Sequence, residues 1–107
     1  MPMQQNTRQA DININAIGDN IVVPLVTGRK IRVWKIWLKA VGAVGVIFKN
    51  GVAGVAFNAR AIPLAVGEQW EKPQDETPLW QTGKGLDFVI NTDAVGPITG
   101  RVDYTLL

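Results

Sequence analysis

Four acidic residues crowd one short segment of the sequence: Glu68, Glu71, Asp75 and Glu76. Paired carboxylates can hydrolyse glycosides, one acting as acid and the other as base or nucleophile. All four lie in the loop Gly67–Pro78, which carries Pro73 and Pro78, and solvated loop charge is the reading favoured over a catalytic pair. The segment lacks the Asp-x-Asp-x-Asp-Gly spacing of a calcium loop. Gly83-Lys84-Gly85 has the flavour of a phosphate loop, but Pro78 stands where its first Gly belongs and Gly85 replaces the Ser or Thr that would meet magnesium; it reads as a hairpin turn. The chain has no His, no Cys and no Ser. A Ser or Cys nucleophile with a His base is therefore excluded, as is a zinc site built from Cys or His. A Thr nucleophile needs an adjacent base, commonly a free N-terminal amine, and the sequence does not open with Thr. The expectation is a non-enzymatic protein with no cofactor and no metal.

Two other groups of residues suit binding. Arg29, Lys30, Arg32, Lys35 and Lys39 form a basic stretch with no acid inside it. On a strand Arg32 faces away from Lys35 and Lys39, so the charges do not make one stripe; they either solubilise the surface or attach it to an acidic partner. Trp34 and Trp37 lie within the stretch, but Trp34 shares its strand parity with Ile36 and Leu38 and reads as core rather than as a base-stacking platform. Trp70 and Trp80 flank the acidic loop among polar neighbours. They are candidates for partial exposure, either as interface anchors or as pins that hold the loop on the domain.

The elements that must position these residues are strands. Gly28 to Phe57 reads as a long strand (Arg29–Ala40), a corner (Val41–Val44), a second strand (Gly45–Lys49), a tight Asn50-Gly51 turn and a third strand (Val52–Phe57). Asn-Gly between apolar runs favours a type I′ hairpin, which needs positive φ at both central residues. In the long strand the side opposite Trp34 turns from apolar (Ile31, Val33) to mixed (Lys35, Trp37, Lys39), as a bulge or a strand leaving the core would produce.

Upstream, residues 1–10 are polar and read as an N-terminal arm, with the domain at 11–107. Asp11–Ile17 alternates with period two, Gly18-Asp19-Asn20 is turn chemistry, and Ile21–Thr27 is a strand that Pro24 restricts to an edge or a bulge. Downstream, Ala59–Val66 is an edge strand or irregular cover broken by Pro63, and Gly67–Pro78 is a loop. Leu79–Thr82, Leu86–Asn91 and Ile98–Leu106 are strands. Seven to nine strands in one domain predict an all-β, two-sheet antiparallel sandwich of jelly-roll type, with a small closed barrel as the alternative.

Composition agrees with one folded domain. The chain has 107 residues, 47% hydrophobic and 19% charged, which is no disordered tail. Its net charge of +2 is too small to predict bulk polyanion binding, so no specific nucleic acid is expected. Its most apolar run, Leu38–Phe48, is far short of the ~20 residues of a membrane span and contains Lys39. Without a secretory signal or a span, the expectation is a soluble protein that does not engage a membrane.

A resemblance follows from the strand and turn punctuation. Thr27-Gly28-Arg29-Lys30-Ile31-Arg32-Val33, Val46-Ile47-Phe48-Lys49-Asn50-Gly51, Pro78-Leu79-Trp80-Gln81-Thr82, Gly83 to Thr92 and Gly100-Arg101-Val102-Asp103-Tyr104 together resemble small all-β virion proteins of tailed bacteriophages, in particular capsid decoration (cement) proteins. The resemblance implies a homo-oligomer, dimer or trimer, on the capsid exterior, made in the host cytoplasm and clamping neighbouring major capsid subunits. On that reading Arg8, Arg29, Lys30, Arg32 and Lys35 contact the capsid protein, and Trp70 and Trp80 lie at the oligomer interface. A carbohydrate-binding module stacking sugars on Trp70 and Trp80, or a head-fibre or tail component, is the alternative.

Overall fold

Ten strands and no helix occupy the residues that the structure, a computed structural model, describes: 7–58, 60–73, 76–94 and 97–107. The strands are β1 (Arg8–Ile14), β2 (Gly18–Val23), β3 (Ile31–Ala40), β4 (Val44–Asn50), β5 (Val55–Ala56), β6 (Ile62–Leu64), β7 (Gln69–Lys72), β8 (Trp80–Gln81), β9 (Phe88–Thr92) and β10 (Ile98–Leu106). They pair in nested order and always antiparallel: β1 with β10, β2 with β9, β3 with β7 and β8, β4 with β5 and β6. The chain is thus doubled into one long ribbon whose tip is the turn after Asn50. The ribbon then rolls, bringing β10 against β3 and β9 against β4. One sheet runs β1-β10-β3-β7, with β8 also on β3; the other runs β2-β9-β4-β5, with β6 also on β4. The fold is a jelly roll.

Alternation sets what lies between the sheets. Ile12, Ile14, Ile98, Val102, Ile36 and Leu38 face inward from the first sheet, and Val23, Val46, Phe48, Phe88 and Ile90 meet them from the second. Fully burying such a side chain is worth about 1.5–3 kcal/mol, so this layer carries most of the folding energy. The change of face along β3 is a bulge. Lys35 pairs with Asp103 and Val33 with Tyr104, which leaves Trp34 as the extra residue between them. Ile31 and Val33 therefore point inward on one side of the bulge, and Ile36, Leu38 and Ala40 on the other. Trp34 is buried (6% exposed) but apart from this core, its indole Nε1–H donating to Thr105 Oγ1 at 2.9 Å and the Arg32 guanidinium 5.9 Å from its ring.

Several boundaries differ from those predicted. Residues 8–10, assigned to an arm, begin β1 because Arg8, Gln9 and Ala10 pair with Tyr104, Asp103 and Val102; residues 1–6 lie outside the described residues. Gly18-Asp19-Asn20 opens β2 rather than forming a turn, and the strand ends before Pro24, which cannot donate to a ladder. The acidic loop contains β7, paired with β3 from Ile36 to Lys39. Asn50-Gly51 does not form a two-residue turn. Residues 51–54 make a longer one, closed by Gly54 N–H to Gly51 O at 3.0 Å, and a Cβ on Gly54 would collide with the Asn50 carbonyl oxygen.

Where short strands leave gaps, side chains complete the ladders. Between β5 and β6, Asn58 Oδ1 accepts from Phe48 N (2.8 Å) while its Nδ2 donates to Val46 O (3.3 Å), so the amide imitates a peptide of a missing strand. Thr82 Oγ1 accepts from Ile31 N, Asp87 Oδ1 from Leu25 N and Asp93 Oδ1 from Gly45 N, at 2.7–2.9 Å. Asn58→Ala, which strands two backbone groups of β4, is expected to cost about 1–3 kcal/mol in urea unfolding with an unchanged m-value. A loss below about 0.5 kcal/mol would mean that water replaces the amide.

Candidate binding surface

Of the six basic residues singled out in the sequence, Arg8, Arg29, Lys30 and Arg32 regroup in space, and Lys35 and Lys39 do not. Arg8 opens β1 opposite Tyr104, and Arg32 lies opposite Thr105. Lys30 exchanges both backbone hydrogen bonds with Leu107, and Arg29 donates through Nη2 to Leu106 O at 3.3 Å. All four therefore surround the C-terminal end of β10. Arg32 is held there by Gln81 Oε1, which accepts from its Nε at 3.0 Å. Lys84, which sequence reasoning passed over as a turn residue, joins them because Gly85 N–H donates to Arg29 O at 2.8 Å. Exposed Leu25, Val26, Leu86 and Leu107 belong to the same end, and Asp87 beside them is bonded to Leu25 N–H. This end of the sandwich is basic with an apolar rim.

Lys35 and Lys39 belong to a different surface. They project from the outer face of the first sheet, where Lys35 is opposite Asp103, and Trp37 lies between Arg101 and Glu71. Arg101 also faces Asp11 in an exposed ion pair of 3.5 Å. Basic and acidic groups interleave across this face. Lys35 thus does not extend the basic end.

Trp70 and Trp80 lie opposite Leu38 and Val33 and turn inward between the sheets. Phe48 stacks on both, at centroid distances of 5.4 and 4.4 Å, and Phe57 and Phe88 lie 5.9 Å from Trp80. Their rings pack β7 and β8 onto the core, and both side chains stay partly exposed.

Of the loop's acidic residues, Glu68 has a structural task. Glu68 Oε1 accepts from Ala65 N at 2.8 Å, closing the turn before β7, while Glu71 sits beside Trp37 on the outer face. Asp75 lies outside the described residues. Among the described residues, no cluster of three or more carboxylates could hold a metal ion. Asp19, in contrast, is a hub on the outer face of the second sheet. Lys49 Nζ contacts both its oxygens at 3.1 Å, Asn91 Nδ2 donates to Oδ1 at 2.7 Å, and Ala53 N–H donates to Oδ2 at 2.6 Å. Burial would raise its carboxyl pKa, but the hydrogen bonds from Ala53, Asn91 and Lys49, with the Lys49 charge, outweigh burial and hold it below the ordinary value. The bond to Ala53 also fixes that residue at φ 56°, a left-handed conformation uncommon outside glycine.

No protein-family model matches the chain, and no curated protein matches it. A similar solved structure comes from work on Bacillus endospore appendages, a family of disulfide-linked pili; it shares 21% identity over 97% of this chain and 88% of the other, with a TM-score of 0.47. At that score the likeness carries no argument about function.

Trp80→Ala is expected to lower stability by about 3 kcal/mol or more, since it removes the ring against which three others pack. Thermal and urea unfolding would read the loss, and a variant as stable as the parent would contradict a pinning role.

Proposed function

We propose that this chain is a non-enzymatic structural protein of a tailed-bacteriophage virion, a decoration protein that binds the outside of the assembled capsid. The observation that carries the proposal is the convergence of Arg8, Arg29, Lys30, Arg32 and Lys84 with exposed Leu25, Val26, Leu86 and Leu107 at one end of the sandwich. A basic end with an apolar rim suits an acidic protein surface: the charges steer and orient, and the apolar side chains supply burial. The side chains of Asn58, Thr82, Asp87 and Asp93 close backbone ladders, which supports a scaffold rather than a catalyst.

The mechanism is adhesion multiplied by symmetry. A homo-oligomer presenting this end to several capsid subunits turns weak contacts into a durable clamp, because each later contact forms at high effective concentration. A surface that occurs only when capsid subunits are assembled is then bound in preference to free subunits.

Co-sedimentation with mature capsid shells tests the proposal. Arg29→Glu with Lys30→Glu is expected to weaken binding by about tenfold or more and to reduce its salt sensitivity. Lys39→Glu, on the outer face of the first sheet, is expected to leave binding unchanged. Equal binding by the charge-reversed and parent proteins, or equal affinity for shells and free subunits, would contradict it.

A further inference from the structure

The hub around Asp19 places an amine and an amide on the same carboxylate oxygen. Lys49 Nζ and Asn91 Nδ2 both donate to Asp19 Oδ1, at 3.1 and 2.7 Å. The three residues come from three adjacent strands, β4, β9 and β2, and share the outer face of their sheet, with Asn91 opposite both Asp19 and Ile47. The site is sheltered: Val89 beside it is fully buried, and the Lys49 and Asp19 side chains are only 17% and 16% exposed. Asp19 is itself immobilised through its other oxygen by Ala53 N–H in the turn at 51–54.

We propose that Lys49 and Asn91 are the partners of an intramolecular isopeptide bond, with Asp19 as the proton carrier between them. The Asp19 carboxylate accepts a proton from the Lys49 ammonium across their existing contact. The freed amine attacks Cγ of Asn91, forming the new C–N bond. The Cγ–Nδ2 bond then breaks as Asp19 returns its proton to Nδ2, with which it already shares a hydrogen bond. The second proton on the Lys49 nitrogen leaves with the departing group, so one ammonium ion is released and Asp19 is again a carboxylate. Lys ammonium plus Asn amide gives a secondary amide plus ammonium; charge and atoms balance and no oxidant is required. Holding amine and amide on one carboxylate oxygen replaces an encounter in solution with an intramolecular one, the circumstance in which a poor acyl donor can react. The reaction has to occur only once per molecule, so a slow step is sufficient.

The bond would staple β4 to β9 and close the chain between Lys49 and Asn91. In a protein without cysteine it would supply the covalent constraint that a disulfide supplies elsewhere.

Mass spectrometry of the full-length protein tests this. The intact chain is expected to be lighter than its sequence by one ammonia. Trypsin is expected to spare Lys49 and to release a branched peptide joining residues 40–60 to residues 85–101. Asn91→Ala and Lys49→Arg are each expected to restore the sequence mass. Asp19→Asn is expected to keep the β-sheet circular dichroism of the parent while losing the branched peptide. A parent protein at full sequence mass would overturn the proposal. So would an ammonia deficit confined to a linear peptide containing Asn50-Gly51, which marks a succinimide there. A branched peptide formed equally well in Asp19→Asn would overturn the role of Asp19.

Discussion

A backbone N–H or C=O that leaves water on folding must find a partner, and in this chain the sheets alone do not supply them all. β5, β6, β7 and β8 are two to four residues each, too short to cover β3 and β4 along their lengths. Side chains meet part of the remainder: Asn58 and Thr82 accept the N–H groups of Phe48 and Ile31 beside these short strands, and Asp87 and Asp93 accept those of Leu25 and Gly45 just beyond the two ends of β9. This dependence explains much of the polar sequence. Asn58, Thr82, Asp87 and Asp93, none of them among the acidic residues that first suggested chemistry, stand in for missing pieces of the ladder, and no buried polar side-chain atom among the described residues is left without a partner.

The aromatic layer depends on the same closure. Phe48 is fully buried because Trp70 and Trp80 lie over it, and these reach it only because β7 and β8 hydrogen-bond to β3. Polar completion of the edges thus holds the largest apolar side chains in place, and the two cannot be separated energetically. Surfaces that the ladders do not use include the interleaved charges on the outer face of the first sheet and the basic end around Leu107.

The sequence made the fold class legible because period-two alternation survives in β1 and β10, and because Pro24 and Pro63 mark a strand end and an edge. The change of face in the long strand was visible as Lys35 and Lys39 replacing Ile31 and Val33, and its cause is the bulge at Trp34. The tip turn was misread because Asn-Gly satisfies a local rule, whereas the actual turn is set by Gly54 packing against Asn50 O and by Asp19, distant in sequence, holding Ala53. The binding surface was only partly legible. Arg29, Lys30 and Arg32 are neighbours in sequence, but Lys84 and the apolar rim join them through pairings no local pattern encodes, and strand parity alone could not show that Lys35 meets Asp103.

Native-state hydrogen exchange at the amides of Ile31, Phe48, Gly45 and Leu25 tests the central claim most directly, since each is bonded to a side chain and not to a strand. If side chains complete the ladders, these amides exchange as slowly as neighbouring interstrand amides such as those of Ile36 and Ile90. Exchange at the rate of open turns, with the interstrand amides still protected, would contradict the account.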